Sequence, residues 1–228
     1  MATIRENVLR VQEAIDKTAL QVGRKPDEIR LVAASKTVDV ERIRSAVEIG
    51  ITVFGENYVQ EAMRKREALA ESVSWHFIGH LQKNKAKHAV KLFEMIHSVD
   101  SMSLAEELNK RSRGVNRKME VLVEVNLSGE TSKWGVKGED ALSLIHGING
   151  LSDLSFRGLM TMPPFFDEAE ASRPYFVRLR RLAEKIVSEG LHPGPLELSM
   201  GMSNDFPIAI EEGATLIRVG TAIFGSRA

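Results

Sequence analysis

The sequence predicts one closed parallel β/α barrel with an extra helix at its N-terminus, on three observations. Eight short apolar runs alternate with segments polar on one face along 228 residues, a length usual for a single barrel of this kind. The first run, Ile29 to Ser35, reads IRLVAAS, nearly continuous in apolar or small residues, as a parallel strand covered on both faces does. The turn that follows, AASKTVD, lacks the glycine-rich dinucleotide signature that an open doubly wound sheet usually carries there.

Taken in order, the opening helix places Ile4, Val8, Val11 and Ile15 on one stripe. Thr3 and Glu6 form a capping box before it, and Gly23 with Pro26 supplies the stop. Strands are expected at Leu31–Ser35, Thr52–Phe54, Trp75–Ile78, Met95–Val99, Glu120–Asn126, Ser155–Met160, Leu196–Ser199 and Leu216–Val219. Helices are expected near Val40–Ile49, Tyr58–Ala70, Lys83–Leu92, Leu104–Arg111, Glu139–Ile148, Ala169–Ser188 and Asp205–Glu211. This alternation is that of a (β/α)8 TIM barrel, and no low-complexity stretch or linker divides it, so residues 1–228 are expected to form a single domain.

Composition narrows the function classes. The 31 Lys+Arg balance 31 Asp+Glu, so no global field draws the chain to nucleic acid or to a membrane surface. With Cys 0 there is no disulfide, thiolate metal site or cysteine nucleophile. The start, MATIRENVLR, has charges where a signal peptide needs an apolar core, and no run nears the roughly 18 apolar residues of a membrane span. A cytoplasmic location is the expectation. No HExxH motif, histidine cluster or acidic triad suggests a catalytic metal.

Barrel chemistry sits at the C-terminal ends of the strands. Lys36 ends the first strand behind three small residues, where partial desolvation lowers an amine from about 10.4 toward reactivity; a lysine snorkelling to solvent is the plainer alternative. The loops after strands seven and eight, the usual phosphate site of this fold, contain Ser199, Met200 and Gly201, then Gly220 and Thr221. Hydroxyls and glycine-exposed N–H groups there suit an anion. Ser203 or Asn204 serves either as a helix cap or as a phosphate ligand. Arg218 lies inside an apolar strand and needs a partner, either Glu124 or the ring nitrogen of a cofactor. A guanidinium only donates, so it would keep such a nitrogen unprotonated.

The strings AASKT (33–37), FGENYVQE (54–61), WHFIGHLQKNK (75–85), LMTMPP (159–164), LSMGMSNDF (198–206) and IRVGTAIFG (217–225) resemble, in order and over essentially the whole chain, the pyridoxal phosphate homeostasis proteins. The resemblance implies a single barrel like the N-terminal domain of alanine racemase, the type III fold of pyridoxal 5'-phosphate (PLP) proteins. It implies PLP as cofactor, held as a Schiff base on Lys36, with Arg218 at the ring nitrogen and Ser199, Gly220 and Thr221 at the phosphate. Asn57 and His80 then lie near the cofactor mouth, although His80 departs from a proline associated with that position in some relatives.

The implied function is cofactor storage and delivery to PLP-dependent apoenzymes without substantial turnover, by a monomer or weak dimer that binds neither nucleic acid nor membrane. A PLP-dependent racemase or decarboxylase is the alternative, but such enzymes add a second domain, for which the chain is expected to stop too soon at Ala228. A sugar-phosphate barrel enzyme with a nucleophilic Lys36 is a third reading. Lys133, on the same rim, is either a second, transient amine or a solvated loop lysine. The run Lys83, Lys85, Lys87, His88 and Lys91 reads as solvated surface, and Trp75/His76 and Phe165/Phe166 as packing.

Overall fold

A computed structural model describes residues 2–69, 73–130 and 133–225. The expected helix end at Ala70, and Thr131 and Ser132 of the loop before Lys133, lie outside them. Helix α1 (Ile4–Gln21) starts with Thr3 Oγ1 accepting from Glu6 N at 3.2 Å while Thr3 N donates to Glu6 Oε2 at 2.7 Å, the reciprocal cap expected from the sequence. Its stripe of Val8, Val11 and Ile15 is buried.

The barrel strands are β1 (Arg30–Ala34), β2 (Val53–Glu56), β3 (Ser74–Phe77), β4 (Met95–Val99), β5 (Met119–Asn126), β7 (Leu154–Met160), β8 (Glu197–Met202) and β9 (Leu216–Val219). All pair in parallel with their neighbours, and pairing of β4 with β5 and of β9 with β1 closes the ring. A two-residue strand, β6 (Val136–Lys137), adds to β5 outside the ring. The outer helices are α2 (Val40–Glu48), α3 (Val59–Ala68), α4 (Ala86–Leu92), α5 (Met102–Arg113), α6 (Ala141–Asn149), α7 (Arg173–Ser188) and α8 (Phe206–Glu211). Among the described residues β9 is followed by a four-residue helix, α9 (Thr221–Phe224). Helix α1 packs beside α2, α8 and α9, and so fills the outer ring next to that short helix.

Alternation along each strand makes two cores. Val32, Ile78, Met95, Leu122, Met160 and Leu216 fill the barrel, while Ala33, Phe54, Val121, Val123, Leu159 and Ile217 pack under the helices. Two expected boundaries move in ways that matter to the site. Strand β2 continues through Gly55 to Glu56, because the buried Glu56 carboxylate is met by Lys65 Nζ at 2.7 Å and is no longer an unpaired charge in a strand. Strand β8 runs to Met202 and not Ser199, so Ser199, Met200 and Gly201 belong to the barrel wall instead of a loop. Gly201 permits this: its φ is +88°, and a side chain there would press on Ala209 and Phe206 of α8.

Candidate functional site

Lys36 sits half-buried in the turn just past β1, where Val38 N bonds Ser35 O at 2.9 Å. The turn is tight enough to put Thr37 at φ +63°, a left-handed conformation that a β-branched residue keeps only when its surroundings enforce it. They do so through a buried ionic cluster. Glu61 Oε1 accepts from Thr37 N at 2.6 Å, Glu56 Oε1 accepts from Ser35 Oγ at 2.6 Å, and Lys65 Nζ joins Glu56, Glu61 and the Ser35 carbonyl at 2.7, 2.7 and 2.6 Å. Burial pushes the Glu56 carboxyl up, against the pull of Lys65 and Ser35. Sequence reasoning missed this cluster; its signal was the acid at Glu56 ending an apolar strand, with a lysine nine residues on.

The Lys36 turn opens onto a cavity of about 700 Å³ at the C-terminal rim, shared with Phe165, Ser203, Arg218, Gly220 and Thr221. Phe165, expected to pack, is 79% exposed and forms part of the cavity wall. Gly220 comes so close to Ala34 that a side chain would lie 3.2 Å from its carbonyl oxygen. Ser203 caps neither itself nor α8: its Oγ accepts from Gly220 N and Ala222 N, both at 3.2 Å, across to the start of α9. That leaves its O–H free to donate. Asp205 stands at the N-cap position of α8, and its Oδ1 accepts from Met202 N at 2.7 Å, closing the turn before the helix.

Arg218 in the cavity wall continues into a polar chain inside the barrel, of which Ser199 is the next member. Arg218 Nη1 donates to Ser199 Oγ at 2.6 Å and Nη2 to the Thr161 carbonyl at 3.0 Å. His97 Nδ1 lies 2.9 Å from Ser199 Oγ, and His76 Nδ1 lies 2.9 Å from His97 Nε2. Burial pushes His76 down to about 3 and His97 well below its ordinary range, so both rings are neutral. Arginine only donates, so Ser199 Oγ accepts from Arg218. The directions of the Ser199–His97 and His97–His76 bonds are set together by the tautomers of the two neutral rings. Desolvation lowers Arg218 to about 10, with Glu124 and Asp205 acting the other way, so the guanidinium stays charged at neutral pH. No ion pair within 4 Å joins Arg218 to Glu124 among the described residues, so its partners are the serine and the carbonyl. His76, expected to pack, and His97 were both missed as members of this chain. Met200 packs outward under the helices.

Asn57 and His80 line a second cavity of about 440 Å³ at the same rim, with Glu124, Trp134 and Met162. His80 stacks on Trp134, ring centroids 3.5 Å apart, and Lys133 Nζ lies 3.2 Å from Glu130 Oε1. Lys85 of the basic run also faces this cavity, whereas Lys83, Lys87 and Lys91 are exposed. Glu124 is 4% exposed. Its burial, and secondarily Asp100, push the carboxyl up to about 7 from 4.5, partly offset by Arg218.

A raised acid binds more protons folded than unfolded, so its contribution is intact below about pH 4.5 and is lost as pH rises through 7. Relative to Glu124→Gln, the protein is expected to lose up to about 3 kcal/mol of stability between pH 4.5 and 8. Urea unfolding of the two proteins across that range checks this, and their difference cancels the opposite trend of the buried histidines. Parallel profiles would refute the assignment.

Known proteins share this architecture. A family model described as alanine racemase, N-terminal domain, matches residues 2–228. The pyridoxal phosphate homeostasis protein of Aquifex aeolicus (strain VF5) is 44% identical over 223 residues, covering 97% of both chains. That of Pseudomonas aeruginosa is 41% identical, covering 100% of this chain and 97% of its own. Among solved structures, PipY of Synechococcus elongatus PCC7942 with PLP bound superposes with a TM-score of 0.85 at 35% identity, covering 98% of this chain and 100% of its own. An alanine racemase of Clostridium difficile 630 shares the fold at a TM-score of 0.74 and 16% identity, and this chain covers 57% of it.

Proposed function

Because the chain belongs to the pyridoxal phosphate homeostasis proteins, within the alanine racemase N-terminal domain family, we propose that it holds PLP on Lys36 and serves storage and delivery of that cofactor to apoenzymes. The observation that carries the reading is the convergence of Lys36, Arg218, Gly220 and Thr221 on one cavity. The donor set fits: an amine for an aldehyde, a fixed guanidinium for a ring nitrogen, and backbone N–H groups with the Ser203 hydroxyl for a phosphate.

Bound PLP supplies an aldehyde that joins a lysine amine and a ring that withdraws electrons. The chain's own part is binding and orientation. Lys36 would make the covalent hold, and Arg218, locked by Ser199 and Thr161, would donate to the ring nitrogen. Ser199 therefore acts through Arg218, while Ser203 and Thr221 would take the phosphate, Gly220 would leave room for it beside them, and Asn57 and His80 belong to the neighbouring cavity. A guanidinium only donates, so Arg218 would hold a ring nitrogen in its unprotonated form, in which a ring stabilises little carbanion charge.

If the phosphate anchors the cofactor, pyridoxal without it is expected to bind at least about 100-fold more weakly, as the loss of two or more charge-assisted hydrogen bonds requires. Equal affinities in an absorbance titration would remove the phosphate site from the reading.

The racemase alternative needs acid–base groups on both faces of a substrate α-carbon. Tyr58 is 60% exposed at the second cavity, and Tyr175 sits in α7 with its ring 5.9 Å from Phe166. Neither faces the Lys36 cavity. Holo-protein incubated with single amino-acid enantiomers in deuterated water is therefore expected to show α-proton exchange far below about 1 per second. Sustained Lys36-dependent exchange at or above that rate would favour the racemase.

A further inference from the structure

We propose that the second cavity binds a primary alkylammonium, the side chain of a partner protein's lysine, with Glu124 as its counter-ion. Glu124 is on β5, 4% exposed, and lines the cavity. Burying a carboxylate is costly, and a ligand that brings donors to it relieves that cost. Asn57 Oδ1 is buried on the same wall and has no hydrogen-bond partner among the described residues. Asp100, just past β4, adds a second negative charge close enough to act on Glu124. An ammonium has three donors and no acceptor, which matches the two acceptors on this wall.

The shape selects further. Val59, Ile78 and Met162 give the cavity apolar walls for a methylene chain. Its volume of about 440 Å³ admits such a chain. Against an anion stands the Glu124 carboxyl in the wall, with Asp100 near it; Lys85 and His80, whose Nδ1 lies 3.6 Å from Asp100 Oδ2, are the basic groups of the cavity. A metal ion is disfavoured too, since no group of three or more His, Cys, Asp or Glu side chains converges to hold one among the described residues.

The purpose of this site rests on the reading above: PLP passes to an acceptor through that acceptor's lysine, and an ammonium docked on the same barrel mouth as Lys36 is the species a delivery protein has to receive. Its existence does not depend on PLP. The test therefore uses Lys36→Ala protein, in which no amine exchange on Lys36 can interfere. Nα-acetyl-lysine methylamide is titrated at pH 8 while the fluorescence of Trp134, at the cavity wall, is followed; Trp75 is buried against Phe54 and contributes a constant background. A saturable change is expected. The norleucine analogue, identical but without the ammonium, and the Glu124→Gln background should each bind at least about tenfold more weakly. Circular dichroism verifies that each variant is folded, and borohydride-treated holo-protein replaces the Lys36→Ala variant if that one is not. Equal binding of the two analogues, undiminished binding to Glu124→Gln, or a saturable response to inorganic phosphate or magnesium chloride in place of the lysine analogue would each overturn the proposal. Loss of the Lys36 label with an intact fluorescence response would instead strike the PLP reading and leave this site standing.

Discussion

Lys36→Ala protein is expected to lose the visible absorbance that PLP gives when joined to an amine, and to take up no label at any other residue on borohydride treatment. The effect is all or none because no second described lysine lines the cavity that Lys36 shares with Arg218. Lys65 of α3, whose amine reaches the Lys36 turn, is engaged by Glu56, Glu61 and the Ser35 carbonyl. Lys133 sits against Glu130 elsewhere on the rim. Some affinity should persist in the variant, since the Gly220–Thr221 backbone, Ser203 and Arg218 remain. Peptide mapping decides the matter: exclusive labelling of Lys133 or Lys65 in the unmodified protein would show that the reactive amine has been misplaced.

The second large effect is on stability. Lys65 is 5% exposed and Glu56 0% exposed, so removing one partner leaves the other charge buried and unmatched. Lys65→Met is expected to cost about 3–5 kcal/mol, which for a chain of this length lowers the melting temperature by on the order of 10 °C. The loss should reach Lys36 as well. Lys65 holds the Ser35 carbonyl, and through Glu61 the amide of Thr37, the strained residue next to Lys36. Covalent capture of PLP by folded Lys65→Met protein should therefore slow, whereas a substitution of equal cost in the helix layer should leave it unchanged. Adding Glu56→Gln to Lys65→Met should restore part of the stability, because it removes the stranded charge. A double variant no more stable than the single one, or unaltered capture in the single variant, would mean the cluster is not organised as described.

The legible parts of the molecule were those written in local pattern. IRLVAAS and the runs after it announced parallel strands because both faces of each must be apolar, and the Thr3–Glu6 cap was readable because its partners lie three residues apart. That Lys36, Gly220 and Thr221 share one cavity was legible because the strand ends of a barrel gather on one rim. Ser199 was read as a loop ligand when it is a barrel-wall residue that β8 carries inward, since the extra strand length depends on the packing of Gly201 against α8.

The sequence by itself determined the order and type of elements, and with them which strand ends share a rim, since hydrophobic periodicity and short caps are properties of neighbouring residues. The tertiary structure alone decided which polar side chains meet. His76, His97, Ser199 and Arg218 come from four strands, and Glu56 and Lys65 from a strand and the helix after it. Asn57 and His80 fell into a different cavity from Lys36, although all three stand at strand ends. The physical reason is closure of the sheet. Inward positions on strands distant in the chain become neighbours only when β4 pairs with β5 and β9 with β1, and the cost of burying each polar group then selects partners that no local pattern encodes.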